Sequence, residues 1–216
     1  MKNPAVYLFL LLLYACSSTT TITGSWKNPS LQGKNYESIV VVALTSHAVA
    51  KSTVENDIAA LLREYQVSVK RGIDILPPKL SNSDSDYVQV MNKLRDNGVD
   101  GILTISLLKE ETESQYVPGG YSYDPFRFDY YRNFWGYYSY WYPYSYNPGY
   151  YEESKVYYLE TNLYDAKTEE LVWSAQSRTY DVLNLPSFSK EFSKSIVKEM
   201  RKDGILKGEP QKKKKA

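Results

Sequence analysis

The sequence predicts an α/β (α+β) domain: one mixed β-sheet in the order βαβαβ, a tyrosine-rich insertion, then ββα, with three helices packed on the sheet. Three observations carry this. Apolar, β-branched runs alternate with segments of helical periodicity up to residue 108. An aromatic segment of a different composition follows. Beyond it lie two alternating strands joined by a turn, and a last amphipathic helix.

The first strand is Tyr36 to Leu44. Ile39-Val40-Val41-Val42-Ala43-Leu44 is nearly continuous in apolar character, as in a central strand buried on both faces. Ser52-Thr53-Val54-Glu55 matches a capping box, and Val54, Ile58, Leu61, Leu62, Tyr65 and Val69 recur at helical spacing behind it. Lys70 and Arg71 suit the negative end of that helix, and Gly72 suits a left-handed C′ position. Ile73 to Leu76 reads as a short strand stopped by Pro77-Pro78.

Ser83-Asp84-Ser85-Asp86 supplies the cap and acidic first turn of a second helix. Its inward residues are Val88, Met91 and Leu94, and Asn97-Gly98 ends it. Gly101 to Leu108 is the third strand. After the insertion, Lys155 to Asp165 alternates with Tyr157, Leu159 and Leu163 on one face. Ala166 to Glu169 turns the chain, and Leu171 to Tyr180 returns with Trp173 beside the core. Phe188, Phe192, Ile196 and Met200 mark the C-terminal helix, closed by Gly204. Trp26 to Asn35 is loop-like.

The amino terminus sets the compartment. Lys2 precedes an apolar stretch, Ala5 to Tyr14, that is too short to span a bilayer. It ends at Leu13-Tyr14-Ala15-Cys16, and Cys16 is the only cysteine. These residues resemble a bacterial lipoprotein signal, in which a branched aliphatic and a small residue precede the lipidated cysteine. Tyr14 is bulkier than the residue usual there. The resemblance implies a signal peptide at 1–15, lipidation at Cys16 and a polar tether over 16–35 that includes Ser17-Ser18-Thr19-Thr20-Thr21. The absence of aspartate at position 17 implies, by the same resemblance, the outer membrane and a periplasm-facing domain. Several acyl chains acting together make a stable anchor. The domain proper is expected at 36–206, with its insertion at 116–151 and a basic disordered tail at 207–216.

The core order resembles a group of small envelope domains. They are the N-terminal domain of the Tol-system propeller protein, the curli-export lipoprotein, the outer-membrane lipoproteins that activate peptidoglycan synthases, and lipoproteins of no assigned function. The residues that carry it are LYDAKTEELVW, IVKEMRKDGIL and Asn97-Gly98-Val99-Asp100-Gly101-Ile102-Leu103. It spans Ser38 to Leu206 without the insertion, which is a departure from these relatives. It implies the fold, and no catalytic motif comes with it.

Charge is balanced, with 26 Lys+Arg against 25 Asp+Glu, so the chain lacks the basic footprint of a nucleic-acid binder. Lys212 to Lys215 form a solvated terminal run. His47, the only histidine, follows the first strand beside Ser46, an adjacency that does not make a nucleophile–base pair. A site there would lie at the carboxyl end of a strand, where open α/β sheets bind ligands. No phosphate-binding glycine pattern and no metal-ligand spacing occur, and no cofactor is expected. Glu110, Glu111 and Glu113 precede the insertion and Glu152 and Glu153 follow it. They read as solvating charge at strand ends, and paired carboxylates would be the route to a glycan-processing hydrolase.

Tyrosine is the compositional outlier, 22 in all, 13 of them between Tyr116 and Tyr151. In FWGYYSYWYPYSY, Phe134 to Tyr146, every residue except one glycine, one proline and two serines is aromatic. Tyr138, Tyr140, Tyr142, Tyr144 and Tyr146 fall at period two, with Trp141 among them, so an extended chain would place the tyrosines on one face. Pro143 restricts such a strand to an edge or loop. Three roles are open: a cover for the domain's own sheet, a contact surface for an envelope protein, a glycan or a second copy, or a membrane-interface contact. The expectation is a non-catalytic binding or assembly component that uses these residues. The alternatives are a hydrolase acting through the flanking carboxylates and a passive structural lipoprotein.

Overall fold

Strand β2, Ser38–Leu44, is an interior strand of the sheet, and its near-continuous apolar run is buried on both faces. The computed structural model describes residues 19–31, 33–77, 83–117, 150–180 and 184–210. In chain order these form β1 (Thr19–Lys27), a 3-10 turn (Pro29–Leu31), β2, α1 (Ala48–Glu64), β3 (Ser68–Arg71), the one-turn α2 (Gly72–Ile75), α3 (Asp84–Asp96), β4 (Gly101–Val117), β5 (Tyr150–Asp165), β6 (Leu171–Tyr180) and α4 (Leu185–Lys202). The six strands make one mixed sheet in the order β1-β6-β5-β4-β2-β3. β3, β2 and β4 run parallel, and β6 is antiparallel to both β5 and β1.

The chain divides into two units, residues 1–110 with 156–216, and residues 111–155. In the first, Ile39, Val41 and Ala43 of β2 face a core completed by α1 and α4, with Ile58, Leu62, Leu103, Leu163, Trp173, Phe192, Ile196 and Met200. Val40 and Val42 point the other way, to Leu94 of α3, Val99 and Ala166. Two apolar faces need two helical layers, which is why the strand lacks polar alternation. In the second unit, Tyr116 and Tyr151 meet with ring centroids 5.3 Å apart at 57°.

The predicted fold class is the one observed, and several elements follow the sequence closely. Ser83 Oγ caps α3 by accepting from the Asp86 N–H, and Gly98 (φ 63°) and Gly204 (φ 70°) follow helix ends. Leu159, Leu163 and Trp173 are buried as expected. The Trp173 indole Nε1–H also donates to Asp203 Oδ2 at 2.8 Å.

Five local expectations are corrected. Thr19 to Lys27, assigned to the tether and to loop, is an edge strand paired with β6, in keeping with its β-branched TTTIT start. Helix α1 starts at Ala48, so Ser52 and Glu55 are not a capping box, and the Glu55 carboxylate serves elsewhere. The helix ends at Glu64 and Gln66 takes φ 64°. Ser68 to Arg71 therefore form β3, which fills the strand position expected at Ile73 to Leu76, and Gly72 opens α2 instead of ending α1. A Cβ on Gly72 would lie 3.1 Å from Val41 O and 3.2 Å from Glu55 Oε1, so close approach, not handedness, requires the glycine. On α3, Val90 and Met91 pack inward with Leu94, whereas Val88 is 53% exposed. The strands also run further into the insertion than expected, β4 to Val117 and β5 from Tyr150.

Candidate functional site

At the carboxyl end of β2 the chain leaves the core through Leu44-Thr45-Ser46-His47 and enters α1. The parallel arrangement of β2 and β4 brings Ile105 and Leu107 alongside. Together with Ala50 and Val54 of α1, Tyr157 and Leu159 of β5, and Leu185 and Phe188 of α4, these residues line a pocket of about 530 Å³. That volume falls within the ~300–1,000 Å³ of pockets that hold small ligands. The pocket lies wholly within the larger unit.

Its walls are apolar for a structural reason. Ala43, Ile105 and Leu159 project from the same face of the sheet toward the two helices, and Phe188 stacks on Phe192 with centroids 5.6 Å apart. Tyr157 tilts against Phe188 at 6.5 Å. Apart from the Tyr157 hydroxyl, the polar side chains of the lining are Thr45, Ser46 and His47 on the exposed loop. The His47 backbone N–H donates to Thr45 Oγ1 at 3.2 Å, and its side chain makes no cap hydrogen bond to α1. Leu44 and Leu107 are 58% and 52% exposed. Such a pocket can enclose an apolar group and meet a polar head at its rim.

Next to Val54 of the pocket lining, Glu55 is fully buried. Its Oε1 accepts from the Ala43 N–H at 3.0 Å and its Oε2 from the Ile73 N–H at 2.9 Å. Burial raises its pKa above the usual carboxylate value, against the pull of those two N–H groups. Glu55 therefore joins β2, α1 and α2 and fixes the wall from which His47 leaves.

A second groove, of about 750 Å³, lies between α3 and the β5–β6 turn, where Tyr87 donates to Glu169 at 2.6 Å. Near that turn Asp165 accepts from the Lys34 ammonium, from Tyr36 Oη at 3.2 Å, and from the N–H groups of Lys167 and Thr168. These contacts tie the loop before β2 to the β5–β6 turn.

Of the residues singled out in the sequence, His47 and Ser46 line the pocket. Glu110, Glu113, Glu152 and Glu153 are exposed strand residues and Glu111 is half-buried. Cys16 and the candidates Tyr138, Tyr140, Trp141, Tyr142, Tyr144 and Tyr146 lie outside the described residues. Among the described residues, no group of three or more His, Cys, Asp or Glu could hold a metal ion, and no helix is long and apolar enough to cross a membrane. The apolar lining itself was missed. Its signal was present in Leu44, the last paired residue of β2, and in Leu107, one residue past the β2–β4 pairing.

No family model matches the chain, and no curated protein matches it. Among solved structures it is similar to the PelC dodecamer protein of Paraburkholderia phytofirmans, at 14% identity and a TM-score of 0.43, over 82% of this chain and 95% of that one. It is also similar to lipoprotein GNA1162 of Neisseria meningitidis, at 14% identity and 0.38, over 76% and 98%. A PDZ domain protein of Parabacteroides distasonis aligns at 9% identity and 0.40, over 91% of this chain and 39% of that one.

Proposed function

We propose that this protein is a non-catalytic component of a bacterial cell envelope, held at the outer membrane by lipid on Cys16, facing the periplasm, and acting by binding. The partner is an envelope protein, a glycan or a second copy of the chain, engaged through the tyrosine-rich segment. The observation that carries this reading is the run from Phe134 to Tyr146, which holds neither charge nor aliphatic side chains. Tyrosine and tryptophan provide large contact area at low side-chain entropy cost, which suits a recognition surface. The apolar character of the pocket beside His47 agrees with binding chemistry.

The test is site-specific photo-crosslinking in intact envelopes, with the probe replacing Tyr140. A discrete adduct is expected, and its mass distinguishes self, another protein or glycan. A folded, lipidated protein that gives no adduct would overturn the reading. Glu111→Gln and Glu153→Gln separate the hydrolase alternative, because a binding component keeps its adduct in both variants.

A further inference from the structure

The pocket at the carboxyl end of β2 and the first residue of β1 lie at the same end of the sheet. Register shows this directly. Thr19 pairs with Tyr180, which pairs with Val156; in the next row Thr20 pairs with Thr179, which pairs with Tyr157. Tyr157 is a wall of the pocket. Thr20 is therefore two strand spacings, about 10 Å, from the strand that forms that wall.

Helix α4 supports the same placement. It runs in the same direction as β1, with Ser195 Oγ donating to Thr20 O at 3.4 Å, Ser25 Oγ to Glu199 Oε1 at 3.2 Å, and Lys27 Nζ to Asp203 O at 2.9 Å. The direction of increasing residue number is thus shared, so β1 begins at the side of the sheet nearer the α4 N-terminus. That terminus, Leu185 to Phe188, is another wall of the pocket. Cys16 precedes Thr19 by three residues, a reach of about 10 Å when extended.

We propose that the pocket holds an acyl chain of the lipid carried by Cys16. The inference rests on the lipid-anchor reading above and deepens it. The apolar interior formed by Ala43, Val54, Ile105, Leu159 and Phe188 accepts the hydrocarbon, and Thr45, Ser46 and His47 at the rim meet its polar linkage. A short tether makes this an intramolecular event at high effective concentration, which favours the chain's own lipid over a free one. The acyl group exchanges one apolar surrounding for another, while the wetted pocket lining is removed from water. Any further acyl chains on the cysteine remain in the bilayer.

The test uses the full-length protein in its native envelope, with a photo-crosslinking residue at Leu107, inside the pocket, and separately at Leu108, which points to the other face of the sheet. Digestion and mass spectrometry then identify the adducts. The expected result is a link between the Leu107 probe and the protein's own acylated N-terminal peptide, several-fold above the Leu108 probe. Ala50→Phe, which obstructs the pocket wall, should abolish the link without unfolding the protein. A Leu107 probe that captures phospholipid, another protein or nothing, while Cys16 carries lipid, overturns the inference alone. A Cys16 that carries no lipid overturns the anchor reading and the inference together.

Discussion

The Glu55 carboxylate accepts the Ile73 N–H at 2.9 Å across α1 and α2, while its other oxygen accepts the Ala43 N–H at 3.0 Å. A buried carboxylate with two backbone donors is a structural joint. Glu55→Ala leaves both donors without their acceptors and should lower stability by roughly 2–5 kcal/mol in urea denaturation. Glu55→Gln keeps one acceptor oxygen and should cost less. Burial raises the folded pKa of Glu55, so its contribution to stability is greatest below the unfolded value of about 4.3 and declines as pH rises through the folded value. A Glu55→Gln protein whose stability shows the same decline with rising pH would contradict this account.

Asp165 has the opposite sign. Burial alone would raise its pKa, but Lys34 and the N–H groups of Lys167 and Thr168 outweigh that and lower it to about 2. Its contribution is present above the unfolded value and is lost as pH falls from about 4 toward 2, amounting to about 2 kcal/mol. Asp165→Asn should be less stable at neutral pH, and its acid-unfolding profile should flatten across that window. An unchanged profile would assign acid sensitivity to other carboxylates.

Ser189 and Ser193 are fully buried on α4, and their hydroxyls have no hydrogen-bond partner among the described residues. Alanine at Ser193 removes an unsatisfied group and is the better helix former. Ser193→Ala should therefore raise stability by about 1 kcal/mol, seen as a higher Tm. A loss of stability instead would show that the hydroxyl is satisfied in solution.

The elements legible in the sequence were those with one dominant signal. Ile39 to Ala43 read as a strand buried on both faces, and Phe188, Phe192, Ile196 and Met200 as one face of a helix. Two of the errors fall between Val49 and Ile75, where signals compete. Ser52 and Glu55 have the spacing of a cap, but Ala48 to Lys51 are equally able to start the helix. Val69 satisfies helical spacing after Tyr65 and strand alternation after Val67. Pairing with β2 decides in favour of the strand, because Ile39↔Val69 and Val41↔Arg71 complete the parallel edge. The pocket was only half legible. His47 marked its rim, whereas Leu185 and Phe188 arrive from a helix more than a hundred residues away.

By itself the sequence determined the fold class, most of the element types, the doubly buried strand β2, the lone cysteine at residue 16 and the aromatic segment, because each is written in local periodicity and composition. Only the tertiary structure decided where α1 yields to β3, what Glu55 bonds, and that β1, α4 and the pocket meet at one end of the sheet. Those outcomes depend on strand register and on which backbone donors are left for a buried carboxylate, and both are set by contacts between residues far apart in the chain.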